Sequence, residues 1–421
     1  MVKSQYNITK TIEKDTWVYN TLTSSFIKLP AEEWEKLPDG ATDDERRQLA
    51  ELGILVKSHE TELLKYKYFC YSKMFDRSVL FLTIAPTMRC NFNCKYCFEG
   101  SNKNLPPMSD EVIAGLVRYI GRNTKKEISL NWFGGEPLMA FPTILTICQQ
   151  LNDGAVKFRS SMVTNGSLLT PKVVDRMDAL HLNMLQISLD GVGEEHDRRR
   201  GYRNGRPSFD GIISNLTYFL HHHEAKVTIQ VDIDSRNPDA YHHVHAFMMQ
   251  RFPDYMQQGR LKIGCNHVQN RTGFAGNEAC ISDAQLHAND VSNLEEGRYA
   301  ELMPGLPGLS LPCMYRSASM FAIDPAGNLY RCLEHLGRPE QRIGSVVDGK
   351  VSLGRLAETA FSTDPFSDPE CVSCAAFPIC GGGCPIDRIK AAGKPPKPYC
   401  SYHRQYLADM LPLFYERQKK H

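Results

Sequence analysis

From residue 79 onward the chain alternates short apolar runs with amphipathic stretches. The runs at 80–85, 128–133, 161–164, 184–189, 227–233 and 261–264 are short and rich in apolar and β-branched residues. That pattern suits strands buried on both faces of a parallel sheet. Between them, apolar residues recur every three to four positions over 110–122, 142–151, 171–180, 209–222 and 240–252. This spacing predicts helices that cover the sheet. Six strands alternating with five helices predict an α/β fold, either a parallel sheet covered by helices or an incomplete barrel, here taken as a partial (β/α)6 TIM-type barrel. Ligands of such barrels sit at the C-terminal ends of the strands.

The flanking regions read differently. In residues 1–75 a strand-like run at 16–29 precedes helical patterns at 31–37 and 43–52. Gly53 follows as a C-cap, and a short strand lies at 54–56. This order predicts a small winged-helix-like domain. Residues 301–421 are short segments rich in Pro, Gly and Cys. Such a region is expected to build little core and to fold around metal. The expected layout is therefore 1–75, a barrel over 76–300, and a Cys-rich domain folded around metal over 301–421.

Composition narrows the function. Apolar residues make up 42% and charged residues 23%, ordinary values for a folded protein. With 49 basic and 48 acidic residues the net charge is +1, so no global basic field exists to hold nucleic acid or an anionic membrane. The apolar runs are strand-sized and the N-terminus lacks a signal-peptide core, which places the expected chain in the cytoplasm. Structural disulfides are disfavoured there, so the 14 cysteines point to metal, cluster or catalytic use.

Those cysteines are grouped. Cys90, Cys94 and Cys97 read C-x3-C-x2-C directly after the first predicted strand, at the barrel mouth. Three thiolates on a 4Fe–4S cluster leave one iron open to a ligand. The other reading of this spacing is a zinc site completed by a remote His or Cys. Cys313 and Cys332 precede Cys371, Cys374, Cys380 and Cys384, which read C-x2-C-x5-C-x3-C, and Cys400 follows. Cys70, Cys148, Cys265 and Cys280 stand apart. Cys265 and Cys280 are candidate extra ligands or ordinary buried thiols, and Cys70 and Cys148 read as structural.

The segment Cys90-Asn91-Phe92-Asn93-Cys94-Lys95-Tyr96-Cys97 resembles the signature of radical S-adenosylmethionine (AdoMet) enzymes. Further landmarks follow at successive strand ends: Gly134-Gly135-Glu136-Pro137, Thr164-Asn165-Gly166, and Ser188-Leu189-Asp190-Gly191 with His196 and Arg200 beyond. The resemblance implies an open iron that chelates AdoMet, reductive cleavage of AdoMet and hydrogen abstraction from an unactivated carbon. It implies AdoMet contacts from the Tyr96 backbone, from Gly134, Gly135 and Glu136, and from Thr164, Asn165, Ser188, Asp190 and Arg200. Ile263 would close over the adenine. His196 reads as structural.

The seven cysteines from Cys313 to Cys400 resemble the SPASM extension of these enzymes, which holds two auxiliary 4Fe–4S clusters and brings the expected total to three. The family pattern groups Cys371, Cys374, Cys380 and Cys400 as one set, and Cys313, Cys332 and Cys384 as another that is one ligand short. Enzymes of this architecture mostly modify peptides or protein side chains. One implied function is a maturase of ribosomally made peptides (RiPPs) that installs a thioether or carbon–carbon crosslink. Its partners would be a precursor peptide with a leader and a reductant such as flavodoxin or ferredoxin. A second is an anaerobic sulfatase maturase, which forms formylglycine. In a third, of a different class, the chain is a non-catalytic iron–sulfur electron carrier. The 89 residues before Cys90 favour the first, since a leader can be captured as an added strand at a sheet edge. So does Leu333 after Cys332, where sulfatase maturases carry an Asp.

Overall fold

The computed structural model describes residues 1–99, 105–268, 280–295, 313–391, 400 and 403–418. The chain forms two compact units. One comprises Met1–Phe75, Ser282–Ser317 and Ala357–His421, the other Asp76–Ile281 and Ala318–Leu356.

In the first unit, strands β1 (Val2–Lys3), β2 (Asn7–Ile12), β3 (Asp15–Asn20) and β4 (Phe26–Pro30) precede helices Ala31–Lys36 and Asp43–Glu51. Strand β5 (Leu55–Val56) and the helix His59–Met74 complete the N-terminal part. β2, β3 and β4 form an antiparallel sheet in that order, and β1 pairs with β5. The two helices match the sequence expectation. The single strand-like run at 16–29 is instead a hairpin, because Asn20 Oδ1 accepts the Leu22 and Thr23 N–H groups at 3.0 and 2.9 Å and closes a turn. Trp17 and Tyr19 on β3 pack with Leu407, Met410, Leu411 and Phe414 of the C-terminal helix His403–Gln418. The chain's two ends thus share one core.

Among the described residues the second unit holds a ten-stranded sheet. β6 (Val79–Ile84), β7 (Glu127–Trp132), β8 (Phe158–Thr164), β9 (Leu182–Ser188), β10 (Lys226–Ile233) and β11 (Leu261–His267) are parallel neighbours in chain order. Leu82, Ile84, Leu130, Trp132, Met162, Leu185, Ile187, Ile229 and Val231 are buried, as expected for strands covered on both faces. Helices Asp110–Gly121, Phe141–Asp153, Phe209–His222 and Ala240–Arg251 make four of the crossovers. The expected helix at 171–180 is broken into Pro171–Val174 and a 3-10 turn Met177–Leu180, which His181 ends in the left-handed conformation.

β12 (Met320–Ile323) pairs in parallel with β6, and β13 (Asn328–Tyr330), β14 (Gly344–Ser345) and β15 (Lys350–Val351) continue the sheet antiparallel. Residues 318–356 therefore build core, with Ala322, Ile323, Leu329, Tyr330 and Ile343 buried. The expectation of little core beyond residue 301 is corrected for this stretch. Its apolar residues are strand-sized runs too short to stand out among the cysteines and glycines. No helix among the described residues is long and apolar enough to cross a membrane.

Candidate active site

The cysteine loop follows β6 and is clamped by backbone from both sides. Gly135 N–H donates to the Thr87 carbonyl at 3.3 Å and Glu136 N–H to the Arg89 carbonyl at 2.9 Å. The approach is so close that a Cβ on Gly135 would lie 2.4 Å from the Arg89 carbonyl oxygen. A Cβ on Gly134, whose φ is +109°, would lie 2.3 Å from the Thr87 carbonyl oxygen. Only glycine fits either position. On the other side Arg203 donates from its backbone N–H to the Asn91 carbonyl at 3.0 Å and from Nε to the Cys90 carbonyl at 2.8 Å.

Glu136 is fully buried, and both its oxygens are used inside the protein. Oε1 accepts from the Leu138 N–H at 3.0 Å and from Thr164 Oγ1 at 2.8 Å, and Oε2 accepts from the Asn165 N–H at 2.8 Å. Burial raises its pKa, and these three donors oppose the rise. Glu136 and Thr164 thus tie the end of β7 to the end of β8. Asn165 turns toward the cysteine loop. Its Nδ2 lies 3.9 Å from Cys90 Sγ and donates to Asn91 Oδ1 at 2.9 Å. The Phe92 N–H also donates to Cys90 Sγ, at 3.4 Å. Burial pushes the Cys90 thiol up to about 12, with Cys94 and Cys97 close enough to add to the rise. Three neighbouring thiols with N–H donors aimed at one sulfur suit anionic, metal-bound sulfur better than free thiols.

A buried charge network lines the ends of β9 and β10. The Tyr96 hydroxyl hydrogen-bonds to Asp190 Oδ2 and accepts from Arg200 Nη1. Arg199 binds Asp234 through Nη1 at 3.0 Å and lies 3.5 Å from Asp190 Oδ2. Arg200 Nη1 stands 3.8 Å from Asp190 and 3.6 Å from Asp232. Asn237 Nδ2 donates to the carbonyls of Asp190 and Asp232 at 3.2 and 3.0 Å and holds the two strand ends together. Two guanidinium groups therefore face three carboxyls. Burial first, and then Asp190, raise the Asp232 carboxyl to about 6. His196 is fully buried and its Nδ1 accepts the Asp190 N–H at 3.2 Å. Burial pushes its pKa down to about 3, so it is a neutral structural group. The buried Nε of Arg200 has no hydrogen-bond partner among the described residues.

The structure brings Cys90, Asn165 and Glu136 into one hydrogen-bonded assembly, and Tyr96, Asp190 and Arg200 into another. Ser188 ends β9, opposite Gln230 of β10. Ile263 is half-buried within β11, opposite Ile229. Arg199, Asp232, Asp234 and Asn237 were missed from sequence. The signal was the alternation Val231-Asp232-Ile233-Asp234, which sets acidic residues at a strand end where a buried strand should carry none.

In the first unit, Cys371, Cys374, Cys380 and Cys400 line one cavity together with Asp368, Glu370 and Arg404. Arg388 Nη1 lies 3.3 Å from Cys371 Sγ while its Nη2 binds Asp368 at 3.0 Å. Gly381, Gly382 and Gly383 all have positive φ, which lets the chain fold tightly from Cys380 to Cys384. Cys313 and Cys384 belong to this unit and Cys332 to the other. Among the described residues no disulfide joins any cysteine. No three His, Cys, Asp or Glu side chains among them form a group suited to a single metal ion.

Residues 84–230 match the Radical SAM superfamily. The serine-type anaerobic sulfatase-maturating enzyme of Klebsiella aerogenes is 25% identical over 372 residues, 79% of this chain and 85% of that one. The radical SAM cyclopropyl synthase TigE of Paramaledivibacter caminithermalis is 24% identical over 205 residues, 44% of this chain and 43% of that one. Among solved structures, anSMEcpe with bound AdoMet and Cp18Cys peptide aligns with a TM-score of 0.62 at 19% identity, covering 81% of this chain and 98% of that one. Streptococcus suis SuiB bound to S-adenosylmethionine aligns with a TM-score of 0.57 at 16% identity, covering 96% of this chain and all of SuiB.

Proposed function

We propose that this chain, which carries a radical SAM domain over residues 84–230, is a maturase that crosslinks a ribosomally made precursor peptide. The observation that carries this reading is the N-terminal sheet. β2 and β4 are its two edges, and an unpaired edge can take up an extended leader as a further strand. In keeping with it, the fold of SuiB extends over 96% of this chain and that of anSMEcpe over 81%. The remainder is about the size of residues 1–75.

In this reading Cys90, Cys94 and Cys97 hold a 4Fe–4S cluster with one open iron. Cys371, Cys374, Cys380 and Cys400 hold a second cluster, and the set with Cys313, Cys332 and Cys384 a third. The cluster and AdoMet, when bound, supply hydrogen-atom abstraction from an unactivated carbon. The protein's residues bind and orient. The Arg200 Nε–H, which has no hydrogen-bond partner among the described residues, suits a carboxylate. Since the Gly135 N–H is committed to Thr87, the carbonyls of Gly134 and Gly135 are what this turn offers an ammonium group. The excess carboxyl among Asp190, Asp232 and Asp234 suits a cationic ligand. Forming a thioether or carbon–carbon bond removes two hydrogens, that is two protons and two electrons, from the peptide: one hydrogen atom would leave in 5′-deoxyadenosine and the other as a proton, its electron passing to an iron–sulfur cluster. A reductant such as flavodoxin or ferredoxin would prime the cluster, in the cytoplasm.

A second reading, formylglycine formation, is supported by similarity to the sulfatase-maturating enzymes over 79% of the chain. It requires a base other than the residue after Cys332, which is Leu333. Anaerobic incubation with AdoMet, dithionite and two peptides separates the readings. One is a leader-bearing precursor peptide, taken from any small reading frame found beside the gene, and the other a serine- or cysteine-bearing sulfatase peptide. A crosslink in the first, resistant to aldehyde-reactive hydrazides, supports maturation. A hydrazide-reactive aldehyde in the second supports the alternative.

A further inference from the structure

The seven cysteines from Cys313 to Cys400 are one short of two sets of four. Cys371, Cys374, Cys380 and Cys400 line one cavity and make a complete set. The shortfall therefore falls on the set that includes Cys313 and Cys384. We propose that Cys70, on the helix His59–Met74, supplies the missing thiolate to that auxiliary cluster. The proposal rests on the reading above that the Cys-rich region holds two auxiliary clusters.

Cys70, Cys313 and Cys384 gather around one guanidinium. Arg316 donates from Nη1 to the Gly381 carbonyl at 2.6 Å and from Nη2 to the carbonyls of Thr363 and Gly383 at 3.2 and 3.4 Å. This fixes it against the turn that enters Cys384. Its charge acts on the Cys70 thiol, and the thiols of Cys313 and Cys384 act on it in turn. Hydrogen bonds place the three residues in one neighbourhood: Tyr71, next to Cys70, donates to Asp364 Oδ2 at 2.5 Å, Arg316 holds the adjoining Thr363 carbonyl and the Gly383 carbonyl before Cys384, and the Arg316 backbone N–H donates to the Cys313 carbonyl at 2.9 Å.

A second observation points to an anionic occupant. Arg316 is only 9% exposed, and its Nε has no hydrogen-bond partner among the described residues. A buried guanidinium N–H without an acceptor is rare in folded proteins. Thiolate or sulfide sulfur beside it would supply that acceptor. Cys70 also packs against the aromatic cluster Tyr6, Tyr66 and Phe377, which Cys371 and Cys374 share, yet it does not line their cavity. It is therefore near the cluster region without belonging to the complete set. Cys265, a sequence-based candidate, lies within β11 opposite Val231 of β10.

The test uses the full chain with Cys90, Cys94 and Cys97 all changed to Ala, which empties the AdoMet cluster. Iron, acid-labile sulfide and Mössbauer spectra are compared for this parent and for the parent with Cys70→Ala or Cys70→Ser, without peptide. The parent is expected to hold about eight irons, all sulfur-ligated. The Cys70 variants are expected either to lose about four irons or to keep all eight with one iron shifted to oxygen or nitrogen coordination. Cys148→Ala serves as a control that changes neither. Unchanged iron and spectra in folded Cys70→Ser would overturn the proposal. An open iron already present in the parent would also overturn it, and would leave that place to substrate. A parent with only about four irons would refute the two-cluster reading itself, separately from the role of Cys70.

Discussion

The carboxamide of Asn165 reaches the sulfur of Cys90, Nδ2 to Sγ, at 3.9 Å. The same residue is fixed through its backbone by Glu136 Oε2 at 2.8 Å. The end of β8, held by a buried carboxylate on the β7 turn, thereby reaches directly to Cys90, the first of the proposed cluster ligands. Removing the amide by Asn165→Ala should leave a folded protein with a lower cluster reduction potential. AdoMet cleavage should slow by about ten- to hundredfold, the usual cost of losing an outer partner of a metal ligand. An EPR-monitored redox titration and a 5′-deoxyadenosine assay check both expectations.

Gly135→Ala should be more severe than its size suggests. The added methyl would meet the backbone oxygens of Arg89 and Met88 at 2.4 and 2.5 Å, and neither can move without shifting the loop that leads to Cys90. At least a tenfold loss of AdoMet cleavage is expected, the equivalent of about 1.4 kcal/mol, together with reduced iron loading. Gly121→Ala, where the new methyl meets nothing within 4 Å, is the control.

Asp232 gives a pH signature. Its carboxyl is raised from 3.8 to about 6 by burial and by Asp190, against the opposing pull of Arg200 and Arg199. The folded protein holds this proton more tightly than the unfolded chain. The group's stabilisation is therefore complete below about pH 4 and is lost as pH rises through 6. At neutral pH the charged form is a liability on the order of 1–3 kcal/mol. Asp232→Asn should raise the melting temperature of AdoMet-free protein at pH 7.5 by a few degrees. The gap should narrow at pH 5.5, as read by differential scanning calorimetry.

The N-terminal region is not removable without damage. Trp17 and Tyr19 pack on the C-terminal helix that carries Leu407, Met410, Leu411 and Phe414. Thr21 Oγ1 donates to the Ala375 carbonyl at 2.5 Å, beside Cys374. Truncation at residue 75 should therefore strip about four to eight irons from the Cys-rich region. Trp17→Ala should destabilise this unit by about 3–5 kcal/mol. Chemical denaturation and iron analysis test these outcomes.

Much of the barrel was legible because burial on both faces leaves an uninterrupted apolar strand, as at Val79–Ile84, and because a one-faced helix leaves a 3.6-residue rhythm, as at Phe209–His222. The hairpin between β3 and β4 was not legible. Its turn uses the Asn20 side chain and a left-handed Ser24 in place of glycine or proline. The helix His59–Met74 was hidden for another reason. It buries Glu62, which accepts hydrogen bonds from Ser4 and from the Gln5 N–H, alongside Tyr66, so its inward face carries no clean apolar stripe. At the site, cysteine spacing and strand-end glycines were readable, whereas Arg199, Asp232 and Asn237 acquire meaning only when β9 and β10 lie side by side.

The most direct measurement is anaerobic incubation of the fully iron-loaded chain with AdoMet, dithionite and the leader-bearing peptide, followed by mass spectrometry of nucleoside and peptide together. The expected result is 5′-deoxyadenosine release coupled to loss of two hydrogens from the peptide, with a fragmentation gap spanning a crosslink. Both signals should vanish in Cys94→Ala. Iron-loaded protein that releases no 5′-deoxyadenosine, or that turns a sulfatase serine or cysteine into an aldehyde while leaving the leader-bearing peptide unchanged, would contradict peptide crosslinking.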